Sequence, residues 1–243
     1  MNSARRTLLG LAAALAFSLS GIAGAQDVLR VGTDATFPPF EYSENGKRTG
    51  FDIELIEAIA KVMNKKVEWV DIDFKGLIPG LLANRFDVAA SAIYITDERR
   101  KVVDFTDPYY PGGLVIMTKK GDTSIRGPED LKGKKVTVQV GTKSVNYLKE
   151  HYPAAQPVEV EKNQQMFELV EIGRADAAVT GKPAAKVYAR TKGTLQVVDQ
   201  PLTVEEYGYA LRKDTPELTK QFNEALKKLK ADGTYDKLVA KYL

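Results

Sequence analysis

The sequence contains no cysteine, one histidine and one tryptophan among its 243 residues. Without cysteine, the chain can form no disulfide framework, thiol nucleophile or cysteine-based metal site. His151 precedes Tyr152-Pro153, where a helical pattern gives way to a loop, so we expect it on the surface. A single surface histidine leaves no basis for a His-based triad or a histidine-rich metal site. We therefore expect neither a metal nor a cofactor.

The chain also lacks an excess of either charge once its N-terminus is set aside. Of the 35 basic and 32 acidic side chains, two arginines and no acid lie in residues 1–25, which leaves 33 basic against 32 acidic. A nearly neutral chain gives no electrostatic reason to bind nucleic acid.

The N-terminus has the three parts of a secretory signal peptide. Arg5-Arg6 precede an apolar run from Leu8 to Ile22, and Ala23-Gly24-Ala25 supply a small-residue cleavage site. We predict that residues 1–25 are removed before Gln26. No cysteine follows the run to carry a lipid anchor, so we expect a released, periplasmic protein.

Short apolar runs alternate with helical patterns in both halves of the chain. Strands are predicted at Val28–Val31, Val67–Ile72, Val88–Ile95, Lys135–Val140, Val158–Glu161 and Ala175–Thr180, and helices at 51–62, Leu77–Leu82, Ser144–His151, Met166–Ile172, 218–229 and Tyr235–Tyr242. Such alternation favours an α/β fold with mostly parallel sheets flanked by helices. Two alternations of about a hundred residues each fit two lobes of ordinary domain size.

Two extended segments, Leu114–Thr118 and 203–212, lie between these alternations. If both cross between lobes, the final helices return to the first lobe and the crossings form a hinge. The predicted lobes are then 26–110 with 205–243, and 111–204. A single larger domain with an antiparallel edge is the alternative that the pattern alone leaves open.

The segment Thr96-Asp97-Glu98-Arg99 follows an apolar strand and begins like a helix. Thr96 is suited to cap the helix, and Arg99 lies within its first turn. A guanidinium beside free helix N–H groups favours a bound carboxylate. The alternative is that Arg99 pairs with Asp97 or Asp104 at the surface.

Six segments occur in an order found in one family: "GTDATFPPFEY", "TGFDIELIEAIA", "DFKGLIPGLLANRFDVAA", "ITDERRKVVDFTDPYY", "DLKGKKVTVQVGTKS" and "ADGTYDKLVAKYL". Together they resemble the periplasmic amino-acid-binding proteins of ABC importers, the polar amino-acid family. The resemblance covers Val28 to the C-terminus. It implies two lobes that close on a ligand, and a membrane permease as partner.

The resemblance also implies which residues contact the ligand from the N-terminal lobe. Asp34 matches a position that contacts the ligand's side chain, and Phe37 and Phe74 match aromatic positions that cover it. From the residues alone, Asp34 could be a turn aspartate and both phenylalanines could be core. Glu41 could be a solvated carboxylate.

A further group surrounds the predicted carboxylate site. Ser91, Ile93 and Tyr94 match the strand end whose backbone contacts the ligand, or they could simply be buried packing residues. Tyr94 occupies a position where the family usually has threonine. Arg99 matches the carboxylate-binding arginine. The turn Gly141–Ser144 follows a strand and opens a helix, so it can present N–H groups to the same carboxylate from the opposite lobe, with Thr142 as a side-chain donor.

Gly181 departs from the family pattern, which has an aspartate there that binds the ligand's α-ammonium. A buried ammonium without a carboxylate is costly. Glu205, Glu206 and Asp34 are possible substitutes. Alternatively the ligand lacks the ammonium, and Lys182 meets a second acid group.

We expect the extracytoplasmic solute-binding component of an ABC importer, a monomer and not an enzyme, which captures a polar or basic amino acid by hinge closure. Three alternatives remain at this stage. One is a binding protein for a small organic acid, another a dehydratase on the same scaffold, and the third a ligand-binding partner of a sensor.

Overall fold

The computed structural model describes residues 27–243, and the predicted signal peptide, residues 1–25, lies outside them. The strands are β1 (Val28–Thr33), β2 (Thr36–Phe37), β3 (Glu41–Glu44), β4 (Lys47–Thr49), β5 (Lys66–Asp71), β6 (Val88–Ala89), β7 (Asp104–Phe105), β8 (Tyr110–Pro111), β9 (Leu114–Lys119), β10 (Lys135–Gln139), β11 (Gln156–Val160), β12 (Ala177–Gly181), β13 (Leu195–Val197), β14 (Glu206–Tyr207) and β15 (Ala210–Leu211). The helices are α1 (Phe51–Val62), α2 (Leu77–Leu82), α3 (Asp97–Arg100), α4 (Lys143–His151), α5 (Asn163–Glu171), α6 (Lys182–Lys192), α7 (Pro216–Ala231) and α8 (Thr234–Tyr242). Short 3-10 turns lie at Phe74–Gly76 and Pro128–Leu131.

The first sheet has the strand order β5-β1-β6-β15-β7. β1 is parallel to β5 and β6, and β15 is antiparallel to its neighbours β6 and β7. Helix α1 buries Phe51, Leu55 and Ile59, which are four residues apart and therefore share one helical face. The C-terminal helices α7 and α8 pack against α1, so the chain end returns to the first sheet.

The second sheet repeats this arrangement with the order β11-β10-β12-β9-β13. β10 is parallel to β11 and β12, and β9 is antiparallel to β12 and β13. In each sheet, four of the five strands therefore share one direction. The predicted α/β class with two sheet-bearing lobes is confirmed.

The two segments that pass between the sheets pair with each other. Residues 110–111 form β8 and residues 206–207 form β14, and these short strands are antiparallel. Tyr110 lies opposite Tyr207, and Pro111 lies opposite Glu206. The chain thus crosses between the sheets twice, at one place.

One predicted strand is wrong over most of its length. Val88–Ile95 was expected to be extended, but β6 ends at Ala89. Ala92 has a positive φ of 42°, and its N–H donates to the buried carboxylate of Asp52 at 2.9 Å. The Ala92 N–H therefore donates to the Asp52 side chain and not to a neighbouring strand, and the chain turns at Ala92.

The structure also contains elements that the pattern did not indicate. β2, β3 and β4 form a small antiparallel sheet. Helix α6 buries only Ala184 and Ala185, so it has too weak an apolar period to be predicted from the pattern. Among the helices of residues 27–243, none is long and apolar enough to cross a membrane.

Candidate functional site

A small cavity between the two sheets, here called the main cavity, has a volume of about 40 Å³. This volume is well below the roughly 300–1,000 Å³ of small-molecule sites, so the two sides must separate before a ligand can enter. The residues that line it are Asp34, Phe37, Glu41, Phe74, Ser91, Ala92, Tyr94, Leu114, Gln139, Thr142, Lys143, Ser144, Asn163, Met166, Val179, Thr180, Gly181 and Tyr207. Both sheets contribute, so any ligand held there would contact both sides at once.

The main cavity includes seven of the nine predicted ligand contacts: Asp34, Phe37, Phe74, Ser91, Tyr94, Thr142 and Gly181. Ile93 does not line it. Its side chain is buried in an apolar cluster with Leu77 and Phe105, and its carbonyl accepts from the Gly208 N–H at 3.0 Å. Arg99 is not on the lining either.

Arg99 lines an adjoining groove, which shares Thr142 and Lys143 with the main cavity. Thr96 caps α3 as predicted, because its hydroxyl accepts the Arg99 N–H at 3.2 Å. The guanidinium donates to the carbonyls of Tyr94 at 2.9 Å and Gly141 at 3.4 Å. Within residues 27–243 it forms no ion pair, so the surface pairing with Asp97 or Asp104 is not what the structure has.

Arg99 is held in a low-dielectric position. Its guanidinium lies 5.7 Å from the ring centroid of Phe74, within the range of a cation–π contact. Burial lowers the pKa of Arg99 to about 10, which still leaves it charged at neutral pH. A charged, half-buried guanidinium with unused donors is suited to a carboxylate.

The start of α4 faces the same region from the second sheet. Thr142 precedes the helix, and its hydroxyl donates to the Gln139 carbonyl at 2.7 Å. Lys143 and Ser144, the first two helical residues, line the main cavity. Their N–H groups have no partner in the preceding turn of the helix, so they and the helix dipole favour an anion.

Asp34 links the two sheets. Its carboxylate accepts from Gln139 Nε2 at 2.9 Å and Lys162 Nζ at 3.0 Å, both from the second sheet's side. It also accepts from the Phe74 N–H and the Thr36 hydroxyl, each at 3.1 Å. These four donors match the capacity of a carboxylate. In this arrangement Asp34 joins the two sides and has no acceptor left for a ligand.

Further ion pairs bridge the two sides. Lys162 also contacts Asp73 at 2.7 Å, and Lys75 contacts Glu161 at 2.7 Å. In both pairs one partner follows β5 and the other follows β11. Ion pairs therefore connect the first sheet's side to the second sheet's side next to the main cavity.

Gly181 has no room for a side chain. A Cβ atom there would overlap the Tyr207 hydroxyl and lie 3.2 Å from the Tyr94 hydroxyl. Tyr207 donates to the Tyr94 hydroxyl at 3.0 Å, and Tyr94 donates to the Gly113 carbonyl at 2.8 Å. Their rings stack with centroids 4.6 Å apart. Two neutral phenols thus occupy the space that an aspartate would need.

Glu41 is buried on the lining of the main cavity, so it is not a solvated carboxylate. It is 1% exposed, and it accepts from the Ser91 hydroxyl at 2.8 Å. Burial raises the pKa of Glu41 well above its ordinary value, and the neighbouring Asp52 carboxylate adds to the rise. Burial likewise raises the pKa of Asp52 to about 7.

Of the three predicted replacements for a carboxylate at position 181, Asp34 lines the main cavity, whereas Glu205 and Glu206 do not. Glu205 pairs with Lys143 and accepts from the Thr203 hydroxyl. Glu206 is an exposed residue of β14. Lys182 does not line the main cavity, and its N–H donates to the Gly113 carbonyl at 2.8 Å.

Sequence reasoning missed Gln139, Lys162 and Tyr207. Gln139 ends strand β10, so its place at a strand's carboxyl end was a usable signal. Tyr207 lies in the second crossing, where only the β8–β14 pairing shows that it reaches the cavity. Nothing in the local sequence of Lys162 indicated a partner 128 residues away.

Comparison with known proteins identifies the family. The chain belongs to the bacterial extracellular solute-binding proteins, family 3, whose family model matches residues 29–243. The resemblance inferred from the six segments is therefore confirmed.

Two relatives and two solved structures illustrate the similarity. The chain is 35% identical over 232 residues to ABC transporter arginine-binding protein 1 of Escherichia coli, covering 93% of this chain and 95% of that protein. It is 34% identical over 221 residues to the probable amino-acid-binding protein YxeM of Bacillus subtilis, covering 89% and 84%. An ancestral arginine-binding protein bound to arginine is 43% identical with a TM-score of 0.85, covering 89% and 98%. The ancestral amino acid-binding protein AncCDT-1, a precursor of cyclohexadienyl dehydratase, is 46% identical with a TM-score of 0.84, covering 88% and 95%.

Proposed function

We propose that this protein is the extracytoplasmic solute-binding component of an amino-acid ABC importer. The observation that carries the proposal is a cavity between two sheets, lined from both sides, with Arg99 and the start of α4 beside it. A ligand carboxylate between them would meet a guanidinium and free helix N–H groups together. The arginine- and amino-acid-binding relatives support an amino acid as ligand.

The ligand we propose is a polar or basic L-amino acid, with Phe37 and Phe74 covering its side chain. Both rings line the main cavity. Relatives are named for histidine, arginine, cystine and glutamine. Three of these have polar or basic side chains, and cystine contains a disulfide.

Capture proceeds by closure of two lobes, residues 26–110 with 205–243 and residues 111–204. The paired crossings β8 and β14 form the hinge. A ligand shifts this equilibrium only if it binds the closed form better, which contacts to both sides provide. The closed protein, a monomer in the periplasm after removal of residues 1–25, then docks on a membrane permease. It releases its ligand chemically unchanged.

A thermal-shift screen of residues 26–243 tests the proposal. The panel contains L-arginine, L-lysine, L-histidine, L-glutamine and L-cystine, their D-enantiomers, and small organic acids. A ligand at about a hundred times its Kd should add about 2.7 kcal/mol to the free energy of unfolding. We expect stabilisation by at least one L-amino acid and not by its mirror image.

Stabilisation by organic acids alone would overturn the proposed ligand class. The stabilising compound is also incubated with the protein and recovered by mass spectrometry. Recovery unchanged supports a binding protein, and conversion to a product would overturn the proposal that the protein is not an enzyme.

A further inference from the structure

Two carboxyl groups line the main cavity, and only one of them has a basic partner. Asp34 is paired with Lys162 at 3.0 Å. Glu41 forms no ion pair within residues 27–243, and its Oε2 atom is buried without a hydrogen-bond partner there. Burying such an oxygen is costly unless a donor reaches it. An unpartnered acceptor on the cavity lining therefore needs a donor, which either a bound proton or a ligand can supply.

We infer that Glu41 binds the α-ammonium group of the ligand, and that binding expels a proton that Glu41 shares with Asp52. The inference rests on the proposed function, because it requires an amino-acid ligand. It assigns to Glu41 the counter-charge that Gly181 cannot provide.

The position of Glu41 fits this role. It lies directly opposite Phe37 in the β2–β3 ladder. The tip of the Phe37 ring is 3.4 Å from the point where a Cβ of residue 181 would lie. Glu41 and Phe37 therefore lie side by side on the lining of the cavity that Gly181, Tyr94 and Tyr207 also line. The Ser91 hydroxyl fixes Oε1 and so orients the carboxyl group.

Asp52 is the second half of the pair. Its Oδ2 accepts from the Ala92 N–H at 2.9 Å and the Tyr109 hydroxyl at 2.8 Å, whereas Oδ1 is buried without a partner. The Glu41 and Asp52 carboxyl groups are buried neighbours, and each affects the pKa of the other. One shared proton would satisfy both orphaned oxygens.

The surroundings of the pair contain acids and phenols. The groups that face it are Asp34, Tyr109, Tyr207 and Tyr209. No lysine or arginine in residues 27–243 forms an ion pair with either carboxyl group. Like charges this close cannot both ionise easily, so the pair retains its proton.

An ammonium beside the pair reverses this balance. The ligand keeps its three ammonium protons, the pair loses one proton to solvent, and a carboxylate–ammonium contact replaces the carboxyl–carboxyl one. Binding and proton release are then linked, so affinity for the amino acid falls as the pH falls.

Isothermal titration calorimetry tests the inference at about pH 6, where the pair is protonated. The probe is the tightest binder among L-arginine, L-lysine, L-histidine and L-glutamine. Titrations in buffers of different ionisation enthalpy report the number of protons released from the slope of the observed enthalpy. We expect net release by the parent protein.

Two variants and one analogue identify the group responsible. Glu41→Gln keeps the shape and should lower affinity by about 30-fold or more, with no proton release left. Glu44→Gln, at the exposed end of the same strand, should change neither quantity. The same amino acid without its α-amino group should bind weakly, and equally to parent and Glu41→Gln.

The outcomes separate the two proposals. If none of the four amino acids binds the parent protein, the proposed function fails. If one binds without proton release, and Glu41→Gln binds it as tightly as the parent, the function stands and the role of Glu41 is wrong. Circular dichroism of Glu41→Gln distinguishes lost binding from lost fold. If that variant does not fold, two measurements on the parent protein test the role of Glu41. They are the number of protons released on binding and the affinity for the analogue without its α-amino group.

Discussion

Arg99 has five N–H donors, and the structure uses two of its nitrogen atoms on protein carbonyls. These contacts fix the plane of the guanidinium and leave further donors free. The ring of Phe74 lies against it at 5.7 Å, which limits its access to water. Arg99 is therefore oriented before any ligand arrives, and preorganisation of this kind favours affinity.

Arg99→Ala should lower the affinity for the amino-acid ligand by about 2–5 kcal/mol, because a desolvated carboxylate loses its charged partner. Calorimetric titration measures the change. Arg100→Ala is the matched control, since Arg100 is the exposed next residue of α3 and its guanidinium lies 5.8 Å from the ring centroid of Phe105. Equal affinity in the Arg99 and Arg100 variants would show that the carboxylate binds elsewhere.

Position 181 must be glycine because the neighbouring Tyr207 hydroxyl leaves no space for a side chain. An aspartate at this position would supply the counter-charge that the family pattern has there. The Tyr207 hydroxyl blocks this, since any Cβ at position 181 would overlap it.

A double-mutant cycle tests this steric account. Gly181→Ala should destabilise the protein by about 1–3 kcal/mol through overpacking. Adding Tyr207→Phe removes the obstructing oxygen, so the double variant should be more stable than the sum of the single changes predicts. Urea unfolding gives the free energies. Strict additivity would mean that the two residues do not compete for space.

At the scale of elements, the buried pair joins β3 to the first turn of α1. Glu41 begins β3, and Asp52 is the second residue of α1. Both carboxyl groups have raised pKa values because of burial. The folded state therefore binds more protons than the unfolded state between the ordinary carboxyl pKa and about 7, and stability falls as pH rises through that window.

Asp52→Asn should flatten this fall. Each raised group can contribute up to about 1.4 kcal/mol per pH unit, and asparagine can still accept from the Ala92 N–H and the Tyr109 hydroxyl. Urea unfolding of the ligand-free parent and variant from pH 4.5 to 7.5 measures the slopes. A variant with the parent's slope would show that Asp52 does not bind an extra proton in the folded protein.

Local patterns predicted the elements that depend on local causes. Leu77–Leu82 is a helix with the predicted bounds, and Thr96 caps α3 through its hydroxyl. The predicted strand 88–95 failed because Asp52, forty residues away, binds the Ala92 N–H. Periodicity reports which face of a segment is apolar, and it carries no information about such a distant partner.

At the scale of the whole molecule, charge pairs connect the two sides of the main cavity. Lys162 is the central one, because it contacts both Asp34 and Asp73. The Asp34 side chain is 2% exposed, so this pair is less screened than a surface pair and should count for more.

Lys162→Ala should open the ligand-free protein, because Asp34 would lose its counter-charge on closure. Small-angle scattering should show a larger radius of gyration than for the parent. Lys149→Ala is the control, since Lys149 pairs with Glu159 at 2.9 Å on the second sheet's side alone. Saturating amino acid should return the Lys162 variant toward the parent's dimensions. Identical scattering from both ligand-free variants would contradict a role for Lys162 in closure.

The site was less predictable than the fold because its residues depend on partners that are distant in the sequence. Phe37, Phe74 and Thr142 were predicted from recognisable segments, and all three line the main cavity. The roles proposed for Glu41 and Lys162 depend on partners brought together only when both sheets are assembled. The sequence shows that Gly181 replaces the aspartate of the family pattern. It does not show that the Tyr207 hydroxyl occupies the space an aspartate would need.

A crystal structure of residues 26–243 grown with the amino acid that the screen identifies tests the central claim most directly. The account predicts one ligand between the two sheets, with its carboxylate on Arg99 and the first N–H groups of α4, and its ammonium on Glu41. An empty cavity at saturating ligand, or a carboxylate bound away from Arg99, would contradict it.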